Sequence, residues 1–236
     1  MGLMMRVRFV RRRLKARTAA LAVTLASILG LAHGAPELPA QGEDAVTFFR
    51  AAQLDDTGRI KPILARGLNP NVHEPERGET GLIVALRYDS MKVFKLLLSQ
   101  PNIQLEEKAE NGNTALMMAA FKGNKPAVLA LLEKGAQVNR PGWTALHYAA
   151  AAGDTAIMRI LLDQHAYIDA ESPSGVTPLM IAAREGKEDA VQLLLAAGAD
   201  ATLKDHGFKS TAAEFADRAD KPWISAAIRK HLDAKR

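Results

Sequence analysis

A six-residue phrase returns along this chain at near-constant spacing: Thr, a small residue, an apolar one, two variable positions and Ala. It reads Thr80-Gly-Leu-Ile-Val-Ala85, Thr114-Ala-Leu-Met-Met-Ala119, Thr144-Ala-Leu-His-Tyr-Ala149 and Thr177-Pro-Leu-Met-Ile-Ala182, with a degenerate copy at Thr211-Ala-Ala-Glu-Phe-Ala216. Successive Thr residues stand 34, 30, 33 and 34 positions apart. A period near 33 residues means stacked units, because one such unit is too small to bury its apolar face alone. The architecture points to binding rather than chemistry.

A second, Leu-rich phrase follows each of the first. Leu131-Leu-Glu-Lys-Gly-Ala136 and Leu194-Leu-Ala-Ala-Gly-Ala199 are clean copies; Leu161-Leu-Asp-Gln-His-Ala166 and Ile63-Leu-Ala-Arg-Gly-Leu68 are near copies. The Thr hydroxyl suits a helix N-cap and Pro178 suits a first helical turn. The Ala pair permits close helix approach, Gly123, Gly153 or Gly186 breaks the chain, and a second helix ends at Gly67, Gly135 or Gly198, where a left-handed residue is needed.

These phrases resemble the ankyrin repeat family over residues 44–233. Gly142-Trp-Thr-Ala-Leu-His-Tyr-Ala-Ala150 with Leu161-Leu162, and Gly175-Val-Thr-Pro-Leu-Met-Ile-Ala-Ala183 with Leu194-Leu195, match it phrase by phrase. The resemblance implies an all-α solenoid of stacked antiparallel helix pairs with short β-hairpin fingers between neighbours. The units are an N-terminal one at 44–72, central repeats at 76–106, 107–139, 140–170 and 171–204, and a C-terminal cap at 205–233, which Trp223 is expected to seal.

Departures from the pattern mark particular places. Two residues separate Asn139 from Gly142, whereas five separate Asp169 from Gly175, so one finger is three residues short and leaves a notch. His165 stands where glycine ends the other helices, a costly position for positive φ. Pro101-Asn102 replaces the same glycine with one residue inserted, and Asn tolerates the left-handed region.

Residues 1–17 hold seven basic residues, Arg6, Arg8, Arg11, Arg12, Arg13, Lys15 and Arg17, and no acidic one; an apolar run follows from Thr18 to Ala32. This is the layout of a secretory signal peptide, and the small residues at Ala32-His-Gly34 place its cleavage after Gly34. An uncleaved anchor is the rival, but a run of about 15 residues is shorter than the roughly 20 that span a bilayer. The twin-arginine route is a second rival, although Arg11-Arg12-Arg13-Leu14-Lys15 matches its motif only in part. Residues 1–34 are thus read as the signal, 35–43 as a flexible tether, and the protein as periplasmic or secreted, with no membrane insertion after cleavage. The absence of cysteine rules out a lipid-modified cysteine and any disulfide.

The whole chain carries 31 basic and 26 acidic residues, a net charge of +5; without the seven basic residues of the signal it has 24 against 26, or −2. Nucleic-acid binding needs a concentrated positive surface, which the mature chain does not offer. No phosphate-binding loop, paired metal histidines or nucleophile elbow occurs, and the five mature histidines, at 73, 147, 165, 206 and 231, are scattered along the repeats. His147 is expected to bond to backbone of the adjoining repeat, as in the family, and Asp205-His206 reads as a solvated turn. No catalytic residue, cofactor or metal is therefore assigned.

In such solenoids the contact positions are the finger residues before each Thr and the ends of the first helices. Carried onto this chain, these are Arg77, Asn113, Trp143 and Lys209 on fingers, and Arg87, Tyr88, Phe121, Lys122, Arg184 and Glu185 at helix ends. Tyr88, Phe121 and Trp143 form either one shared aromatic contact patch or local packing; both readings are open. Arg87, Lys122 and Arg184 suggest a basic ridge that nearby acids would neutralise. The function implied is a non-catalytic scaffold that binds a protein partner on its concave face. The alternative is an immunity or inhibitor protein that blocks a periplasmic toxin or enzyme.

Overall fold

In the computed structural model residues 41–234 are described; the expected signal peptide and residues 35–40 of the tether lie outside them. Twelve helices form among the described residues, in six pairs belonging to one compact unit. The pairs are α1 (Gln41–Gln53) with α2 (Thr57–Ala65), α3 (Gly81–Arg87) with α4 (Met91–Leu98), and α5 (Ala115–Phe121) with α6 (Lys125–Glu133). They continue with α7 (Ala145–Ala152) and α8 (Thr155–Asp163), α9 (Pro178–Arg184) and α10 (Glu188–Ala196), and α11 (Ala212–Arg218) and α12 (Pro222–Asp233). Residues 41–43 are helical, as the first described residues of α1.

The repeated phrases do what their chemistry predicts. The hydroxyls of Thr80, Thr114, Thr177 and Thr211 accept from the backbone N–H three residues on, at 3.4–3.5 Å, and so start the first helices. Second helices are capped by Asp56, Asn124 and Asp154. The start of α4 is capped instead from the preceding unit, where Asp55 Oδ1 accepts from Lys92 N at 2.8 Å and Val93 N at 2.9 Å.

First helices pack in one row, α1 against α3 and on to α11, and second helices lie outside them. One register of this row holds Ala85, Ala119, Ala149, Ala182 and Ala216, all fully buried. A larger side chain at any of them would displace packed neighbours. Leu97, Leu131, Leu161 and Leu194 repeat the same register in the second helices, also fully buried, each contributing roughly 1.5–3 kcal/mol of burial.

Side chains bolt neighbouring repeats at the loop edge. Asn71 donates to Asn102 O at 2.8 Å and accepts from Gln104 N at 2.8 Å; Asn139 does the same with His165 O at 2.7 Å and Tyr167 N at 2.8 Å. His165 adopts φ 60°, as expected of its place. The expectation at Pro101-Asn102 is corrected: neither residue is left-handed, because the inserted residue lets the chain turn through Gln100–Asn102 without a positive φ.

The fingers are hydrogen-bonded turns rather than strand ladders, with a lone antiparallel bridge between His73 and Thr80 among the described residues. They are too short for a ladder: Glu74 N to Glu79 O, Ala109 N to Asn113 O, Ser172 N to Val176 O and Asp205 N to Ser210 O close them at 2.9–3.0 Å. Trp223 does not seal the last repeat. It is 52% exposed beside Lys221, while Ile224 and Ile228 fill the core.

Candidate functional site

Fingers and the last turns of the first helices share one side of the repeat unit, and the residues singled out in the sequence fall there with different surroundings. Arg77 is exposed on the first finger, where its carbonyl accepts from Glu110 N of the next finger at 2.9 Å. Lys209 is exposed on the last finger with φ 55°. Asn113 is buried under its finger and accepts from the Tyr148 hydroxyl at 2.5 Å.

The basic ridge is neutralised residue by residue. Arg87 is clamped to the buried carboxylate of Glu79, with Nε to Oε2 at 2.9 Å. Lys122 reaches Asp89 at 3.1 Å and Arg87 O at 3.1 Å, and Arg184 meets Glu185 Oε1 at 2.9 Å. Exposed pairs such as these last two add little stability, but they cancel the positive potential that the sequence alone suggested.

The aromatics divide into two places. Phe121 and Trp143 are brought together through Tyr148: the Phe121 and Tyr148 rings lie 6.2 Å apart at 87°, and the Trp143 and Tyr148 rings 6.2 Å apart at 53°. Tyr88 does not join them. It borders a separate depression of about 610 Å³ against Val46 and Phe49 of α1 and His73. Tyr88 thus makes no ring contact with Phe121 or Trp143 among the described residues; α1 belongs to a unit without the Thr phrase and presents its own apolar residues to Tyr88.

Tyr148 was the residue that the contact-position rule missed. It occupies the fourth position after Thr144, where the other clean phrases carry Val84, Met118 and Ile181 and only the degenerate last copy has an aromatic, Phe215; an aromatic inside a clean copy was the available signal. Ala151 was missed as well. It stands where the other first helices end in Arg87, Phe121, Arg184 and Arg218, and its short side chain opens a cavity of about 310 Å³ between Phe121, Trp143, Tyr148, Arg184 and Glu185. The shortened finger adjoins this cavity at Trp143.

His147 forms the floor. Its Nδ1 lies 2.9 Å from Thr144 Oγ1 and 3.2 Å from Thr144 N, and its Nε2 lies 2.9 Å from Val176 O of the next finger. Accepting from Thr144 N at Nδ1 and donating to Val176 O at Nε2 is the pattern of a neutral imidazole. Burial pushes its pKa down, against the opposing pull of the backbone bonds at Val176 and Ala170. His147 is thus a tie between repeats. Among the described residues no group of three or more His, Cys, Asp or Glu is placed to hold a metal ion, and no helix is long and apolar enough to cross a membrane.

Comparison with known proteins agrees with this geometry. The chain is 36% identical over 152 residues to SH3 and multiple ankyrin repeat domains protein 2 of Homo sapiens, which spans 62% of this chain and 8% of that protein. It is 34% identical over 152 residues to Rabankyrin-5 of Homo sapiens, spanning 62% of this chain and 13% of that protein. The chain thus corresponds to a small part of either relative. Among solved structures, a chain from the complex of a predatory endopeptidase of Bdellovibrio bacteriovorus with an immunity protein superposes with a TM-score of 0.66 at 26% identity. That match covers 78% of this chain and 97% of the other. The family model for ankyrin repeats matches residues 48–141 and 139–205. With that match over more than half of its residues and six stacked helix pairs among those described, the chain belongs to the ankyrin repeat family.

Proposed function

We propose that this protein is a non-catalytic scaffold that works outside the cytoplasm and grips a protein partner along the face formed by its fingers and first-helix ends. One observation carries the reading: Phe121, a large apolar ring, is 55% exposed at the rim of an aromatic cavity that no residue of the repeat fills. Exposed aromatic side chains beside a pocket are the usual anchors of protein interfaces. The basic N-terminal segment followed by an apolar run supports export, and cleavage is expected near Ala35. The test is capture of the partner by the exported chain. Phe121→Ala is expected to abolish capture while helix content and Tm stay within error, because the ring contributes little to the core. Retained capture would overturn the reading.

The second reading is an immunity or inhibitor role against a periplasmic toxin or enzyme. It is favoured by the likeness to a chain solved in a complex between an endopeptidase and an immunity protein, a likeness that extends over almost all of that chain. The two readings separate on the captured partner: loss of a partner hydrolase's activity on adding this chain supports inhibition, and undiminished activity supports a scaffold.

A further inference from the structure

We infer that the partner presents a basic segment to this face, with one lysine or arginine side chain seated in the cavity between Phe121, Trp143 and Tyr148. This rests on the reading of that face as the binding surface and adds the chemistry of its occupant. The three rings meet at 87° and 53° rather than stacking face to face, so no two π faces cover each other, and Trp143 meets the His147 ring at 68° in the same edge-on manner. A cation within about 6 Å of such a face is attracted by the ring quadrupole, most strongly for Trp. A carboxylate stands at the rim: both Arg184 contacts fall on Glu185 Oε1, which leaves Oε2 to a second donor. Arg184 also lines the cavity, with its guanidinium paired to that same carboxylate.

The charge of the repeats is divided in a way that favours the same occupant. Segments 69–79, 103–113, 139–143, 169–176 and 200–210, which carry the fingers, hold ten acidic residues against five basic. Helices α2, α4, α6, α8, α10 and α12 on the other side hold eight basic against five acidic. A basic segment approaching the protein is therefore steered to the finger side and repelled from the outer helices. An acidic segment would meet the reverse. The short finger at 139–143 leaves an opening in the acidic row beside Trp143, through which a long side chain reaches the rings.

The chain holds two tryptophans, so Trp223→Phe leaves Trp143 as the sole tryptophan, read by excitation at the red edge where tyrosine does not absorb. That variant is titrated with a capped hexapeptide of alternating lysine and arginine, and with glutamate and leucine–glycine hexapeptides as comparators. The expected result is a saturable change in Trp143 emission with the basic peptide alone. Phe121→Ala and Glu185→Gln should each weaken it by about 5- to 10-fold, the scale of a lost cation–π or rim contact. No response at millimolar basic peptide, a stronger response to either comparator, or affinity unchanged by both variants overturns the inference. Loss of natural-partner capture in Phe121→Ala together with an unmoved Trp143 overturns the basic occupant alone. Retained capture overturns the face and this inference with it.

Discussion

Two neighbouring fingers of this molecule solve the same problem by different means. The finger at 172–176 holds itself: Ser172 N and Gly175 N donate to Val176 O and Ser172 O, and the Ser172 hydroxyl accepts from Val176 N. The segment 139–143 closes no backbone bond of its own among the described residues. It is fastened by side chains, through Asn139 to the next repeat, Arg140 beside Glu106 at 3.5 Å, and Trp143 on His147 and Tyr148. Where the backbone completes its own turn, side chains are structural. Where three residues are missing, side chains take over, and an aromatic ring ends up beside an open cavity.

This contrast is confined to the fingers, and core substitutions test that claim with the largest effect. Leu161→Ala and Leu194→Ala remove fully buried residues at the same register, one in each of the two repeats, and each should cost about 2–5 kcal/mol in urea unfolding. A difference between them above about 1 kcal/mol would show that the irregularity reaches the core, and the comparison would break.

Glycine substitutions sharpen it next. Gly175 and Gly142 both have positive φ, at 72° and 86°, so alanine strains either by roughly 1–2 kcal/mol. A Cβ at Gly175 would lie 2.5 Å from the His206 ring, whereas at Gly142 the nearest atoms are 3.7 Å away on Pro173. Gly175→Ala should therefore be the more damaging and should also displace His206 from Glu171, which NMR of the imidazole reads directly. Equal losses of stability with an unmoved His206 would mean that the full finger is packed no more closely than the short one.

The smallest effect concerns the tie between the two fingers, from His147 to Val176 O. Its pKa is lowered from 6.5, so the unfolded chain takes up the proton first. Stability from this residue is complete above about pH 6.5 and is lost as pH falls through the lowered folded value. Wild-type Tm should therefore fall more steeply than that of His147→Gln between pH 7 and 5. Parallel curves would show that folding leaves the proton affinity of His147 unchanged, and the buried neutral tie would be refuted.

Much of this was legible because a repeat compares a chain with itself. Thr caps, buried Ala and Leu positions and the short finger are visible from register alone, and so is His165 in a glycine's place. What escaped depended on the side chain that a neighbouring unit supplies. Tyr88 sits at a helix end like Phe121, yet the residues it meets come from α1, which lacks the phrase and so gave no register to read. Tyr148 sits at a position that is aliphatic in the neighbouring repeats, and the contact-position rule looked elsewhere. At Ser225, register would place an apolar residue like Val128 and Val191; its buried hydroxyl has no partner among the described residues. That loss belongs to the cap, where the repeat pattern decays.

The row of buried alanines has a consequence for how such a chain changes its target. With the same small, fully buried residue at one register of five first helices, the packing of the row does not depend on what stands two positions later at the helix ends. Those outer positions are interchangeable fittings on a rack of fixed spacing. Here Arg87, Phe121, Ala151 and Arg184 occupy equivalent mounts, so exchanging one for another should redraw the bound partner while the rack itself stays in place.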